Sequence, residues 1–203
     1  SYSAQKKLLL DVVDRRLESA AQAVPFILQD DYHQTIYDGS KADYAYVKAM
    51  QSLTDYAKKL DINYIYTYIK GSDGKWYTAS TSLDSKDLKA NGISPEFARQ
   101  PYWMFDFDGK KATLPKLFQL YNDDTSAFEQ SIRTGKAVID ESKDEFGDWR
   151  SCSIAFLSPA GVWCVAGADL SIHFVKKALI GNLITCLGIG LAAFVASFFI
   201  SYY

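Results

Sequence analysis

The chain has 203 residues and a formal net charge of −2 at pH 7. A length of this order holds one domain that folds without disulfides, and the near-neutral charge without a basic stripe excludes a typical nucleic-acid partner. Two histidines and three cysteines without a zinc-type spacing exclude most histidine-based catalytic and metal sites. We therefore expect no metal, no cofactor and no nucleic acid.

Two helices are predicted at the start of the chain. Residues 3–36 carry one apolar stripe, because apolar residues recur at steps of three and four from Leu9 to Ile27. Pro25 is expected to kink this helix. A second apolar stripe runs over residues 42–60. Each helix has one apolar side, so we expect both to lie against a sheet.

A β-hairpin is predicted next, with strands at 62–70 and 75–81 around a Gly- and Asp-rich turn. In the pairing that places Lys70 opposite Lys75, three tyrosines of the first strand share a face with one of the second: Tyr64, Tyr66, Tyr68 and Tyr77. A slip of one residue would exchange the two faces, so this assignment depends on the turn.

Residues 82–136 show no clear period but are rich in aromatic side chains. We expect this segment to fold over one face of the sheet as a lid, because a long aromatic stretch seldom stays a slack loop. Residues 126–134 would form a short helix within it, closed by Gly135. The lid residues expected near a ligand are Tyr102, Trp103 and Tyr121.

A third strand is predicted at 137–141, followed by a second hairpin with strands at 150–157 and 162–169. With Leu157 opposite Val162, Arg150 faces Asp169 across the two strands, and Ser151 and Ser153 lie on the other face, where small side chains could leave room for a ligand. The same register points Cys152 and Cys164 to opposite faces, so we expect no disulfide between them.

The last 26 residues, 178–203, contain no charged side chain. As a helix they would extend about 39 Å, enough to cross a hydrocarbon core of about 30 Å. We therefore expect one domain at residues 1–175 and a transmembrane helix at 176–203, inserted in the membrane through residues 178–203. The whole is interpreted as a piece of a longer membrane protein.

Three stretches together resemble a known family. They are YIYTYIKGSDGKWYTASTS at 64–82, DEFGDWRSCSIAFLSPAGVWCVAGADLSI at 144–172, and the apolar segment that follows. This arrangement resembles a single Cache domain, the PAS-like extracytoplasmic sensor domain of bacterial transmembrane receptors. The resemblance covers about residues 5–175 and the apolar segment.

The resemblance implies an α+β fold: a PAS-like five-stranded antiparallel sheet with the long N-terminal helix on one face, followed by one transmembrane helix. It implies a non-enzymatic sensing module of a chemoreceptor in the inner membrane, with residues 1–175 periplasmic. The length of the N-terminal helix favours a parallel homodimer. The alternatives are the sensor domain of a histidine kinase or diguanylate cyclase, a dimerisation module without a ligand, or a membrane-anchored hydrolase that uses carboxylates alone.

The resemblance also implies a small polar ligand under the lid, on the sheet face opposite the long helix. An arginine can hold a carboxylate through two hydrogen bonds and an aspartate can hold an amino group, so Arg150 with Asp169 would suit an amino acid. The alternative is that these two side chains pair with each other, and the alternative for the aromatic residues is core packing. The predicted ligand-binding set is Tyr66, Tyr68, Tyr77, Tyr102, Trp103, Tyr121, Arg150, Ser151, Ser153 and Asp169.

Overall fold

The computed structural model describes residues 2–29, 31–38, 42–105, 112–144 and 147–173, and isolated positions from 177 to 197. Its helices are α1 (Tyr2–Leu28), α2 (Tyr32–Asp38), α3 (Ala42–Leu60), α4 (Ser85–Ala90) and α5 (Ser126–Thr134), and its strands are β1 (Tyr64–Lys70), β2 (Trp76–Thr81), β3 (Val138–Asp144), β4 (Gly147–Leu157) and β5 (Trp163–Ser171). The strands form one antiparallel sheet in the order β2-β1-β5-β4-β3. The predicted α+β class and the five-stranded antiparallel sheet are confirmed.

Helices α1 and α3 form a layer on one face of the sheet, which we call the helix face. Helix α1 packs against β4 and β5, and α3 packs against β1, β2 and α1. The apolar stripe of α1 is buried, with Leu17 and Val24 at 0% exposure, and so is that of α3, with Met50 and Leu53 at 0%. The two predicted stripes and the long N-terminal helix on one face are therefore confirmed.

The predicted C-terminal end of the first helix, at residue 36, is wrong. It stops at Leu28, and Gln29 takes a left-handed backbone conformation with φ of 67° before α2 begins at Tyr32. Helix α2 is anchored by buried polar contacts: the Tyr32 hydroxyl donates to the Ala79 carbonyl at 2.6 Å, and His33 Nε2 lies 3.2 Å from the Thr67 hydroxyl. Burial lowers the pKa of His33 to about 4, so this imidazole is neutral at pH 7.

The predicted register of the first hairpin is wrong by one residue. Lys70 pairs with Trp76 and Ile69 with Tyr77, and a bulge between Thr67 and Tyr68 shifts the pairing further. Since neighbouring positions of a strand point to opposite faces, Tyr77 lies on the helix face. Its ring packs beside the main core there, and its hydroxyl donates to Asp73 at 2.8 Å.

The predicted register of the second hairpin is also wrong by one residue. Leu157 pairs with Trp163, which places Arg150 opposite Leu170 and Ser151 opposite Asp169. Arg150 and Asp169 therefore point to opposite faces of the sheet, and they neither pair with each other nor share a site.

The two cysteines of this hairpin are buried on the helix face and free. The predicted absence of a disulfide between Cys152 and Cys164 is confirmed. The reason given for it, that the two side chains point to opposite faces, is wrong, because both thiols lie on the helix face. Strand pairing puts Cys164 opposite Phe156, four residues along β4 from Cys152. At about 3.3 Å per residue the two lie too far apart for an S–S bond.

On the helix face, Arg150 joins the sheet to α1. Its guanidinium donates to both carboxylate oxygens of Asp14, at 2.5 and 2.8 Å, and to Glu141 on β3 at 2.7 Å. The Arg150 and Asp14 side chains are 14% and 27% exposed. A bidentate pair with this little solvent is stronger than an ordinary surface ion pair.

The predicted lid divides into two parts with different positions. Phe97, Phe105 and Leu114 pack with α3 in a second core cluster, away from the opposite sheet face. Residues 118–121 instead run along the edge of β2, where Phe118 and Tyr121 donate backbone hydrogen bonds to Thr78 and Trp76. Helix α5 then crosses β3 and β4 on the face opposite α1, and Gly135 closes it in a left-handed conformation as predicted.

The predicted transmembrane helix falls largely outside the described residues. The positions described there, which include 187–190, are helical. Among the residues that the structure describes, no helix combines the length and apolarity needed to cross a membrane.

Replacing Arg150 by alanine should lower the free energy of unfolding by about 2 kcal/mol, because Asp14 loses two charged hydrogen bonds in a partly buried position. Urea unfolding followed by circular dichroism measures this loss. The matched control is Lys59→Ala, which removes an exposed ion pair with Asp55 on α3 and should change stability by less than about 0.5 kcal/mol. Equal losses in the two variants would contradict a special role for the Arg150 contact.

Candidate ligand-binding site

The candidate site lies on the sheet face opposite α1 and α3, which we call the lid face. Strand alternation puts every second residue of each strand there. Contributions come from all five strands: Trp76 and Thr78 of β2; Tyr64, Tyr66 and Tyr68 of β1; Val165, Gly167 and Asp169 of β5; Trp149, Ser151, Ser153 and Ala155 of β4; and Val138 and Asp140 of β3.

A row of three polar side chains crosses the centre of this face. Asp169 on β5 pairs with Ser151 on β4, and Ser151 pairs with Asp140 on β3. The next row holds Gly167 and Ser153, which also pair with each other. We call Asp169, Ser151 and Asp140 the polar row. Its members come from three strands, so only the assembled sheet brings them together.

Tyr66 connects the polar row to its aromatic neighbours. Its hydroxyl donates to Asp169 Oδ1 at 3.0 Å. The hydroxyl end of its ring lies over Gly167, where a Cβ would come within 2.6 Å of the hydroxyl oxygen and closer still to two ring carbons. Position 167 therefore requires glycine, because the Tyr66 ring approaches the backbone too closely for any side chain to fit beneath it.

An aromatic cluster borders the polar row on one side. Tyr68 contacts Tyr66, Tyr121 and Phe128 with ring centroids 5.1, 4.6 and 5.4 Å apart, and Phe128 meets Trp76 at 5.4 Å. Helix α5 supplies Phe128, and Glu129 on the same helix accepts from Lys70 at 2.8 Å and from the Trp76 indole at 3.2 Å. The lysine that β1 places on this face is therefore already paired.

The lid face concentrates negative charge. Burial raises the pKa of Asp140, and the neighbouring Asp124 raises it further. Burial also raises the pKa of Tyr66 and Tyr121, and carboxylates add to both shifts: Asp169 for Tyr66, and chiefly Asp123 for Tyr121. The phenols therefore stay neutral at pH 7 and can donate hydrogen bonds, while the carboxylates beside them repel anions and attract cations.

The structure brings six of the ten predicted site residues together on the lid face: Tyr66, Tyr68, Tyr121, Ser151, Ser153 and Asp169. Tyr77 and Arg150 lie on the helix face, as the shifted registers require. Tyr102 and Trp103 lie beside α3, where Tyr102 contacts Tyr44 at 5.0 Å and Trp103 at 6.0 Å. The predicted partner for a ligand carboxylate, Arg150, is thus absent from the lid face.

Sequence reasoning missed Asp140 and Gly167. Asp140 alternates with Ile139, whose side chain packs against the main core, and this alternation is the sequence signal that could have placed Asp140 on the opposite face. Gly167 carries no comparable signal, because the ring that covers it belongs to a strand about 100 positions earlier in the chain.

The arrangement offers acceptors, phenol donors and ring faces, which suit a small ligand with a protonated amine. No group of three His, Cys, Asp or Glu side chains in the described part of the chain could hold a metal ion. Two clefts of about 280 and 310 Å³ lie elsewhere, one beside Asn63 and Leu170 and one on α3 beside Gln51.

Neither a family model nor a curated protein sequence matches the chain. Among solved structures, it is similar to the ligand-binding domain of the Campylobacter jejuni chemoreceptor Tlp3 in complex with L-norvaline, at 14% identity over 88% of this chain and 62% of that chain, with a TM-score of 0.43. It is also similar to the extracellular domain of soHK1S-Z6, assigned as a histidine kinase (15% identity, 88% and 66% covered, TM-score 0.39), and to the periplasmic domain of RsbU from Chlamydia trachomatis (11% identity, 88% and 59% covered, TM-score 0.31).

The first of these structures is the ligand-binding domain of a chemoreceptor, and the other two are an extracellular and a periplasmic domain. The chain spans about three fifths of the Tlp3 domain. TM-scores under 0.5 mark a distant likeness, which decides neither the ligand nor the function of this chain.

Gly167→Ala should destabilise the fold by about 1–3 kcal/mol, because the added methyl group displaces the Tyr66 ring. Thermal or urea unfolding measures the loss. The control is the same substitution in a Tyr66→Ala background, where the space above Gly167 is open and the added methyl should change stability little. A double-mutant cycle without coupling between the two positions would contradict the close approach of ring and glycine.

Asp140→Asn should stabilise the ligand-free protein more at pH 7 than at pH 3.5. The pKa of Asp140 is raised in the folded state, so its contribution favours folding below the ordinary pKa of about 3.9 and is lost as pH rises through the folded-state pKa. The difference in Tm between variant and parent at the two pH values measures this effect. Asp61→Asn, at the exposed end of α3, controls for the change in net charge. A difference that does not vary with pH contradicts the prediction.

Proposed function

We propose that this chain is the extracytoplasmic ligand-binding module of a bacterial transmembrane receptor, and that it senses a small molecule bearing a protonated amino group. The ligand binds on the lid face, with its amine at Asp169 and its apolar part against Tyr66 and Tyr121. A chemoreceptor is the proposed whole protein, with a histidine kinase or diguanylate cyclase as the alternative output.

The contact between Tyr66 and Asp169 carries this proposal. It places a carboxylate at the edge of an aromatic cluster, beside the small, buried Ser151 on the neighbouring strand and one row from Ser153. Such a group holds an ammonium through charged hydrogen bonds and the ring faces. A carboxylate ligand is disfavoured, because Arg150 belongs to the helix face and Lys70 is paired with Glu129.

The position of Asp169 also supports a signalling role. Asp169 lies two residues before the end of β5 at Ser171, and residues 172 and 173 already belong to the helix that follows. A ligand that prefers one position of β5 would shift the populations of two arrangements of the C-terminal segment. We propose that this segment carries the signal into the inner membrane.

One observation favours a second function, a dimerisation module without a small ligand. The rings of Tyr68, Tyr121 and Phe128 contact one another at 4.6 to 5.4 Å, and the two clefts named above lie away from the lid face. In that function the lid face is a packed layer, and the partner is a second copy that docks along α1. The two functions differ in whether an amine stabilises the protein.

A thermal-shift screen of the 203-residue chain tests the proposal, with mild detergent present because residues 178–203 carry no charge. Primary amines and L-amino acids are compared with carboxylates of the same carbon number, for example 1-aminobutane with butanoate. Amine-bearing compounds should raise Tm and the simple carboxylates should not. A compound at about 100 times its Kd adds about 2.7 kcal/mol to the stability of the folded state.

Asp169→Asn should abolish the shift caused by amines, whereas Asp61→Asn should leave it unchanged. A shift with butanoate but with no amine, or an amine shift that survives Asp169→Asn, contradicts the proposed site. If no compound shifts Tm, light scattering after size-exclusion chromatography decides for the second function by showing a dimer.

A further inference from the structure

Asp140 is a second carboxylate on the lid face, across Ser151 from Asp169. The register puts all three side chains in one row over three neighbouring strands. Neighbouring strands lie about 4.8 Å apart, so the Cα atoms of Asp140 and Asp169 are separated by about 10 Å. One small molecule can therefore reach both carboxylates if its ends carry the groups that they bind.

One carboxylate oxygen of this row has no hydrogen-bond partner within the described part of the chain. Asp140 Oδ1 is buried and accepts no hydrogen bond there. Ser151 and Ser153 are 6% and 2% exposed, face the same surface, and have no side-chain hydrogen bond among those found in that part of the chain. Buried polar groups are nearly always paired, so the buried Asp140 oxygen that lacks a partner in the described part of the chain, with two small serines beside it on the same surface, points to a ligand that pairs with it.

We propose that the ligand carries two protonated amino groups, one bound by Asp169 and the other by Asp140, and that it is a short linear diamine. This inference rests on the proposed function and adds its ligand class. The Ser151 hydroxyl lies between the two carboxylates and accepts from either ammonium group, and Ser153 lies one row away. Asp140 is then the residue that separates diamines from monoamines.

The surroundings of the row suit the methylene chain of such a molecule. The rings of Tyr66 and Tyr121 border the row, and Trp149 and Tyr64 form an edge-to-face pair at 5.5 Å on its other side. Rings of this kind cover methylene groups and also attract ammonium groups. With one cationic end, a monoamine would leave Asp140 unpaired.

Isothermal titration calorimetry on the purified 203-residue chain tests the proposal, using 1,4-diaminobutane, 1,5-diaminopentane, 1-aminobutane and 1-aminopentane. The diamines should bind the parent at least about tenfold more tightly than the monoamines of equal length. The reason is that the second ammonium group of a diamine gains a charged hydrogen bond to Asp140. Asp140→Asn should remove this advantage and leave monoamine affinity within about twofold. Asp61→Asn should change neither class.

The outcomes separate this inference from the proposed function. If amines bind and Asp169→Asn abolishes binding, but diamines gain nothing over monoamines, the ligand class is wrong and the amine site stands. If Asp140→Asn weakens monoamines and diamines equally, Asp140 acts by general charge and the inference is overturned. If no amine binds the parent, both proposals fail. The comparison of diamines with monoamines of equal length uses the parent protein alone. If Asp140→Asn misfolds, this comparison still tests the inference.

Discussion

Strand β5 lies at the centre of the sheet, and the alternation of its side chains determines what each face of the domain can do. Cys164, Ala166 and Ala168 point to the helices, where small side chains let α1 approach closely. Gly167 and Asp169 point the other way. Each position of a strand belongs to one face only, so a shift of one residue in pairing decides which charged groups meet.

Arg150 and Asp169 show this constraint most clearly. They lie on paired strands, one position apart in the ladder, and have opposite charges, yet the register places Arg150 against α1 and Asp169 beside Tyr66. One charged group thus stabilises the helix layer, and the other remains on the lid face beside a second carboxylate, Asp140. Among the residues that the structure describes, the lid face therefore carries more carboxylates than cationic groups, which favours a cationic ligand over an anionic one.

Strands β4 and β5 connect the two faces mechanically. β4 carries Arg150 toward α1 and Ser151 toward the polar row, and β5 carries Asp169 toward its chain end at Ser171. In the proposed sensor, a ligand that draws Asp169 and Asp140 together therefore acts on strands that also hold the N-terminal helix. Coupling of this kind needs two arrangements of the strands with different ligand affinity.

The sequence by itself determined the class of fold and the order of its two long helices and five strands, whereas α2 and α4 were not predicted. The stripes of α1 and α3, the five strands, and the closure of α5 by Gly135 all follow from local patterns of period and turn chemistry. These features are local, because neighbouring residues alone decide them. The resemblance further implied a ligand site that includes residues of β1 and Asp169, which stays a prediction.

Only the tertiary structure decided the registers, and with them the membership of the site. Two registers that differ by one residue have similar local energies, since both hairpin turns allow either one. The choice between them depends on which face of the sheet the helices bury. The same holds for Gly167 beneath the Tyr66 ring and for Asp140 across Ser151 from Asp169, because these contacts join distant strands. Tyr77 and Arg150 were misplaced for this reason, because their faces follow from the register of the assembled sheet. Tyr102 and Trp103 were misplaced because their segment lies beside α3 and not over the lid face.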